Sequence, residues 1–338
     1  MKASPLALLA VLLTQLAGAA PIVINDEELL AKMRDQLSDL AKQHQATDGK
    51  TLAEALKKAP AKFPVVLPAN LPATHAYSDL VKSVFIVASA YKCEACHEWH
   101  NGGVASAWCL TADGVMVTNR HVFESPEDES WGVCGVDGKV HKILRILATN
   151  EDTDAALFQV ETNGTPFVPL KTGGDADVGE RVRILSHPGE RFFFQSSGEI
   201  SRYSTDKAID NDGQSLWMSV TADFAEGSSG GPVFNADGAV VGMVSNTEAI
   251  NHEPAVDESA PGPEDADPKE PGKAAPPSKD PKAKDKEKEK DKPASKDDPA
   301  STPDVREQQM TIKNCVPISR ILDLIAKPDS KEATPKKQ

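Results

Sequence analysis

The stretch Ala225-Glu226-Gly227-Ser228-Ser229-Gly230-Gly231-Pro232-Val233 decides the fold of this 338-residue chain. It places a serine among glycines, and glycines allow a sharp backbone turn and a close approach to a substrate. They also leave amide N–H groups free to bind an oxyanion. The pattern Gly-x-Ser-Gly-Gly singles out Ser229, rather than its neighbour Ser228, as a candidate nucleophile.

Two upstream segments supply a base and an acid. The run 117–122 carries His121 at the end of an apolar stretch, and Asp154 stands directly before the apolar segment 155–157. The chain order is therefore His, Asp, Ser. Hydrolases of the α/β type run Ser, acid, His, and subtilisin-type enzymes run Asp, His, Ser, so the order favours a third arrangement.

Three motifs carry a resemblance to a known family. They are TNRHV around His121, DTDAALFQV around Asp154 and GSSGGPVFNADGAVVGMVSN from Gly227 to Asn246. On these motifs the chain resembles the trypsin-like serine peptidases, particularly the bacterial HtrA-type branch. The resemblance covers residues 80–250 and a short C-terminal piece.

The resemblance implies roles for individual residues. Ser229 would be the nucleophile, His121 the general base and Asp154 the acid that orients the imidazole. Asp152 is the competing acid, but Asp154 matches the family's Asp-x-Ala-Leu. The amides of Gly227 and Ser229 would bind the oxyanion. No metal or organic cofactor is required for this chemistry.

Two positions bear on regulation and specificity. Digestive trypsin-like enzymes carry an aspartate where this chain has Ser228, so activation by insertion of a new N-terminus is not expected. Asp223 occupies the place where trypsins keep the acid of the specificity pocket, and a buried acid there would select basic side chains. HtrA-type pockets prefer small apolar residues, which is the alternative. The PDZ domain that usually follows the protease in that branch is not visible.

The N-terminus reads as a targeting signal. Lys2 supplies a positive charge, residues 6–16 an apolar core and residues 17–19 a small-residue cleavage site. We therefore predict a signal peptide over residues 1–19, no membrane anchor after cleavage and a secreted or periplasmic location. A retained anchor is the alternative, but the apolar stretch is short for one.

Composition limits the partners. The net charge is −14 and the isoelectric point is about 5.1, which argues against nucleic-acid binding. Polypeptides are the expected partners, and the sequence does not fix the oligomeric state. The leading prediction is a secreted serine endopeptidase that cleaves unfolded or exposed segments. The alternatives are a catalytically weak trypsin-like peptide-binding protein and an electron-transfer protein.

Three segments lie outside the protease-like region, 80–250 plus 307–327, and one short helix is predicted within it. Residues 20–79 are predicted to form a helical segment with a capping box at 25–28, followed by a proline-rich extended linker. Residues 251–306, rich in Pro, Lys, Asp and Glu, are predicted to be a disordered insertion, and residues 328–338 a disordered tail. Helical spacing predicts a short C-terminal helix over 317–325.

Short β-rich runs broken by Gly, Asp and Asn occupy the rest of the chain. The predicted strands of the first half are 83–91, 105–110, 115–119, 131–136, 140–148 and 155–161. Those of the second half are 181–186, 192–204, 215–221, 231–235, 239–246 and 309–314. The count predicts a mainly β fold of two six-stranded antiparallel β-barrels, with an N-terminal helical segment and a short C-terminal helix.

The cysteines leave several readings open. The segment Cys93-Glu94-Ala95-Cys96-His97-Glu98-Trp99-His100 fits a disulfide or thiol pair, a zinc site, or the Cys-x-x-Cys-His pattern of c-type haem attachment. The first of these is preferred. A second disulfide between Cys109 and Cys134 is predicted, which leaves Cys315 as a buried thiol.

Overall fold

The computed structural model describes residues 21–207, 214–251 and 308–326. The predicted signal peptide, almost all of the predicted insertion and the predicted tail lie outside these residues. The chain divides into two units, Met1–Glu248 with Thr311–Gln338, and Ala249–Met310. Only strand ends of the second unit are described. Within the described residues, no helix has the length and apolar character needed to cross a membrane.

The N-terminal segment forms two helices where the sequence predicted one helical region. Helix α1 is Asp26–Lys42 and helix α2 is Gly49–Lys58. The predicted capping is confirmed, because the Asn25 side chain accepts a hydrogen bond from the Glu28 N–H at 3.2 Å. His44, at φ 56°, interrupts the helical backbone between α1 and α2. The apolar stripe of α1 packs into the main core through Leu29, Met33 and Leu37.

The proline-rich connection contains two short elements. Strand β1 is Phe63–Pro64 and helix α3 is Tyr77–Leu80. The Tyr77 hydroxyl donates to the carbonyl of Phe193 at 2.8 Å. This hydrogen bond holds the proline-rich connection against the loop that precedes β9.

Six antiparallel strands form the first closed barrel, in the order β2-β3-β4-β7-β6-β5. They are β2 Val84–Lys92, β3 Trp99–Cys109, β4 Val115–Thr118, β5 Ser130–Cys134, β6 Val140–Asn150 and β7 Ala155–Val160. Strand β3 begins at Trp99, earlier than predicted, because its pairing with β2 continues to Lys92. The glycines at 102 and 103 interrupt the alternating pattern that marks a strand in the sequence.

The second closed barrel has the order β10-β13-β12-β11-β8-β9. Its strands are β8 Arg181–Ser186, β9 Phe194–Lys207, β10 Gln214–Val220, β11 Pro232–Phe234, β12 Val240–Asn251 and β13 Gln308–Pro317. The predicted architecture of two six-stranded antiparallel barrels is confirmed.

The C-terminal helix is shorter than predicted. Helix α4 covers Ile318–Leu322, and the next residues turn into strand β14, Ile325–Ala326, which pairs in parallel with β1. Ile318 and Ile321 are buried in the main core, whereas Ile325 is only partly buried against it. The apolar spacing of this segment thus continues across a change from helix to strand.

Candidate active site

His121 and Asp154 are brought together by two neighbouring strands. His121 lies in a 3₁₀ turn directly after β4, and Asp154 directly precedes β7, which pairs with β4. The imidazole Nδ1 lies 2.7 Å from Asp154 Oδ2. The backbone N–H of His121 donates to the other oxygen, Oδ1, at 3.0 Å. One carboxylate therefore holds both the ring and the main chain of the histidine.

Asp154 is itself fixed by several groups. The Ser245 hydroxyl donates to Oδ2 at 3.0 Å, and the Asn119 side-chain amide donates to the Asp154 carbonyl at 2.9 Å. Asp154 has φ 48°, a conformation that is uncommon outside glycine and that aspartate tolerates better than most residues. Asp152, the competing acid, makes a different contact. Its backbone carbonyl accepts a hydrogen bond from the Ser215 hydroxyl at 2.6 Å.

The environment of His121 sets its protonation. Burial lowers its pKa, but the hydrogen bond and charge of Asp154, with a smaller contribution from Glu124, outweigh burial, and the pKa of His121 is raised above 6.5. Proton uptake by the imidazole is therefore favoured by the carboxylate beside it.

Ser229 and His121 line the same cavity, of about 280 Å³, together with Ala105, Trp131 and Gly227. The Ser229 hydroxyl donates to the carbonyl of Ser245 at 3.3 Å. Among the described residues no hydrogen bond joins Ser229 to His121. The candidate nucleophile thus faces the cavity with its hydroxyl held by a neighbouring strand.

The backbone around Ser229 needs its glycines. Gly227 has φ 88°, and a Cβ at this position would lie 2.5 Å from the carbonyl oxygen of His187. The Gly227 carbonyl accepts from the Ser106 hydroxyl at 3.0 Å, and the Ser106 N–H donates to the Ser229 carbonyl at 2.7 Å. Within the part of the chain that the structure describes, the N–H groups of Gly227 and Ser229 make no hydrogen bond. Two donors are thus available to a ligand beside the serine.

Sequence reasoning missed the loop that supports this turn. His187 is fully buried, and burial lowers its pKa to about 3. Its Nδ1 accepts from the Phe193 N–H at 3.0 Å, and the Gly189 N–H donates to the carbonyl of Glu226 at 2.7 Å. The His-Pro-Gly triplet starting at His187 was the available signal, because Pro-Gly marks a tight turn.

Helix α1 also reaches this loop. The carboxylate of Asp26, in the first turn of the helix, accepts a hydrogen bond from the Phe192 N–H at 3.0 Å. The apolar stripe of the helix explained its burial, but nothing in the local sequence indicated this contact, which joins residues 166 positions apart.

Ser228 is fully buried where digestive enzymes carry an aspartate. Its hydroxyl lies 3.1 Å from that of Ser186 and accepts weakly from the Ala225 N–H at 3.4 Å. The position is thus occupied by a neutral side chain with neutral partners.

Asp223 was predicted to line a specificity pocket. Its side chain is 83% exposed and pairs with the ammonium group of Lys313. A specificity acid of the kind predicted is buried and unpaired before substrate binds. The position of Asp223 therefore offers no support for selection of basic side chains.

The predicted disulfides are not formed. All five cysteines are free thiols in the structure. Cys109 lies on β3 and Cys134 on β5, and these strands flank β2 on opposite sides, so two strand spacings of about 4.8 Å separate them. They also face opposite sides of the barrel wall, in different apolar clusters. A disulfide needs Cα atoms about 4.4–6.8 Å apart.

Burial disfavours the thiolate form of the buried cysteines. Burial raises the pKa of Cys109 and of Cys134 to about 12, and it also raises the pKa of Cys315. The prediction of a buried thiol at Cys315 agrees with its full burial, although the residue lies within β13 and not in the turn after it. Cys93 and Cys96 lie at the far end of the hairpin β2–β3 and are partly or fully exposed.

Comparison with known proteins shows what part of the chain is similar to. Residues 105–243 match the family model of the trypsin-like peptidase domain. A Pseudomonas fulva (strain 12-X) protein named "Probable periplasmic serine endoprotease DegP-like" is 27% identical over 142 residues, covering 42% of this chain and 29% of that protein. The resemblance to trypsin-like peptidases is confirmed over this part of the chain.

Two further relatives carry the same name. The one from Halomonas elongata is 28% identical over 149 residues, covering 44% of this chain and 30% of the relative. The one from Rickettsia prowazekii (strain Madrid E) is 28% identical over 143 residues, covering 41% and 27%. The chain therefore spans less than a third of the length of these relatives.

Proposed function

We propose that this chain is a secreted or periplasmic serine endopeptidase that hydrolyses unfolded or exposed polypeptide segments through His121, Asp154 and Ser229. The observation that carries the proposal is the pairing of His121 with Asp154 at 2.7 Å, beside a cavity that His121 and Ser229 both line. The relatives named as periplasmic serine endoproteases support the reaction class and the location.

The chemistry follows from these positions. Ser229 Oγ attacks the carbonyl carbon of the scissile peptide bond as His121 Nε2 takes the hydroxyl proton. The same imidazolium then protonates the leaving amine, which leaves an acyl group on Ser229 that water hydrolyses. Asp154 stabilises the imidazolium through Nδ1–H.

The oxyanion that forms during attack needs donors already in place. The N–H groups of Gly227 and Ser229 are the two candidates, and loss of one such donor typically costs 10²- to 10³-fold in rate. Their freedom from other described partners supports this assignment. The bond from Ser229 to the Ser245 carbonyl has to break before attack, because the hydroxyl must reach His121.

That same bond favours a second candidate function. A protein whose serine hydroxyl is held at 3.3 Å by the Ser245 carbonyl could bind peptides without cleaving them. The peptide-binding protein would use the same cavity as the peptidase and would differ from it only in not cleaving the bound peptide.

Cleavage of casein or of another unfolded protein separates the two. We expect the wild type to cleave, Ser229→Ala to be inactive and Ser228→Ala to retain cleavage, since Ser228 is buried and does not line the cavity. Peptide binding by a folded wild type without cleavage would support the binder. Equal cleavage by wild type and Ser229→Ala would overturn both the proposed nucleophile and the proposed mechanism.

A further inference from the structure

The far end of the hairpin β2–β3 closes in a tight turn. The Cys93 N–H donates to the Glu98 carbonyl at 2.9 Å, and the His97 N–H donates to the Cys93 carbonyl at 2.9 Å. The last strand pair before the turn joins Lys92 to Trp99. The turn therefore brings side chains from both of its flanking strands close together at the hairpin end.

Three metal-binding side chains meet there. The Cys93 and Cys96 sulfurs and a ring nitrogen of His100 all lie within 4.8 Å of one another. Cys96 Sγ is 3.1 Å from His100 Nε2. The His100 ring is stacked on Tyr91, its partner across the hairpin, with ring centres 5.6 Å apart. The stacking orients the imidazole toward the thiols.

We propose that Cys93, Cys96 and His100 bind a zinc ion that stabilises this hairpin end. Zinc held at about 2.3 Å from sulfur and about 2.0 Å from nitrogen places tetrahedral ligand atoms roughly 3.5–3.8 Å apart, which this cluster accommodates. Two thiolates and an imidazole select zinc over magnesium or calcium, which prefer oxygen ligands. Water completes the fourth position.

The ligand set differs from the one that haem attachment would use. A haem on the Cys-x-x-Cys-His pattern takes the next residue, His97, as its axial ligand. His97 has φ 61°, and its backbone serves the turn through the bond to Cys93. The histidine in the cluster is instead His100, on β3 and across from Tyr91.

The site is independent of the catalytic proposal, but its position has a structural consequence. Strand β3 runs from His100 to Gly103 and Val104, which line the cavity beside Ser229. Three residues of strand span about 10 Å. An ion that fixes the hairpin end therefore restrains the strand that forms one side of the cavity.

Cobalt substitution tests the proposal with the full chain, reduced and freed of metal. We expect one Co²⁺ per chain, with the thiolate charge-transfer bands and visible bands of tetrahedral cobalt, and displacement of Co²⁺ by Zn²⁺. Cys93→Ser, Cys96→Ser and His100→Ala should each weaken Zn²⁺ binding more than about 100-fold, since even outer partners of ligands contribute 10- to 100-fold.

The matched control is His97→Asn, because asparagine tolerates a positive φ, and it should bind Co²⁺ as the wild type does. Circular dichroism establishes that each variant is folded. Absence of thiolate bands in the reduced wild type would overturn the proposal, as would binding that His97→Asn abolishes and His100→Ala leaves intact. A haem absorption band in the purified protein, or a Cys93–Cys96 disulfide that persists under zinc-buffered reducing conditions, would also overturn it.

Discussion

Ser245 Oγ donates a hydrogen bond to Asp154 Oδ2 at 3.0 Å, and this is the same carboxylate oxygen that contacts His121 Nδ1. The backbone carbonyl of Ser245 accepts from the Ser229 hydroxyl at 3.3 Å. One residue on β12 thus contacts the candidate acid with its side chain and the candidate nucleophile with its main chain. Because β12 belongs to the second barrel and Asp154 to the first, Ser245 links the two halves of the site.

Replacing Ser245 by alanine should therefore slow the reaction without removing any reacting group. Loss of one hydrogen bond to a charged oxygen is worth about 1.5–3 kcal/mol, so we expect a decrease of about tenfold or more in kcat. Steady-state kinetics on a peptide substrate measures it. Ser201→Ala is the control, since its hydroxyl donates to the Ser219 carbonyl within the second barrel, and it should stay within about twofold of the wild type. Equal effects of the two substitutions would contradict the role of Ser245.

The raised pKa of His121 predicts the acid limb of the pH profile. A general base must be neutral, so kcat/KM should rise with pH through the pKa of His121, with a midpoint above its ordinary value of 6.5. Asp154→Asn removes the interactions that raise this pKa and leaves burial, which lowers it. We expect its midpoint to move to lower pH and its rate to fall about 10⁴-fold. An unchanged midpoint in Asp154→Asn would contradict the assignment of the limb to His121.

Buried His187 predicts a loss of stability in acid. Its pKa is about 3 in the folded protein against an ordinary 6.5, so below pH 6.5 the unfolded chain takes up a proton that the fold excludes. This contribution is fully present above pH 6.5 and is lost as the pH falls toward 3, with a slope of up to about 1.4 kcal/mol per pH unit. Denaturant unfolding at several pH values measures the slope.

The variant His187→Asn isolates this effect, because asparagine keeps an acceptor for the Phe193 N–H but does not titrate. It should show a shallower loss of unfolding free energy between pH 6.5 and 3 than the wild type. The same slope in both proteins would mean that His187 does not hold an unprotonated state in the fold.

The turn before Ser229 should not tolerate a side chain at Gly227. A Cβ there meets the His187 carbonyl at 2.5 Å, and φ is 88°, so Gly227→Ala should displace the proposed oxyanion donor and lower kcat about 100-fold. Gly164→Ala is the matched control, because Gly164 also has a positive φ, 79°, with nothing within 4 Å of the added Cβ. If both variants lose activity equally, backbone strain rather than the contact is responsible.

The barrels and the three candidate residues could be predicted because their signals are local. In strands such as β4 and β7, apolar residues alternate with polar ones or form short continuous runs. The order His121, Asp154, Ser229 is likewise a property of the sequence. The pairing of β4 with β7 then brings His121 next to Asp154. The motifs indicate this proximity, but only the fold shows it.

The misses depended on tertiary structure. Whether Cys109 can reach Cys134 depends on which strands are neighbours and on which face each side chain lies, and neither is visible in the spacing of cysteines. The ion pair of Asp223 joins it to Lys313, ninety positions away. The contact of Asp26 with Phe192 likewise joins a helix to a distant loop.

Labelling with a fluorophosphonate probe tests the central claim most directly. The probe forms a covalent bond with an activated serine, and mass spectrometry of the digested protein locates the adduct. We predict a single adduct at Ser229 that His121→Ala and Ser229→Ala both abolish and that Ser228→Ala retains. An adduct that persists in folded Ser229→Ala, or no adduct in the folded wild type, would contradict the account.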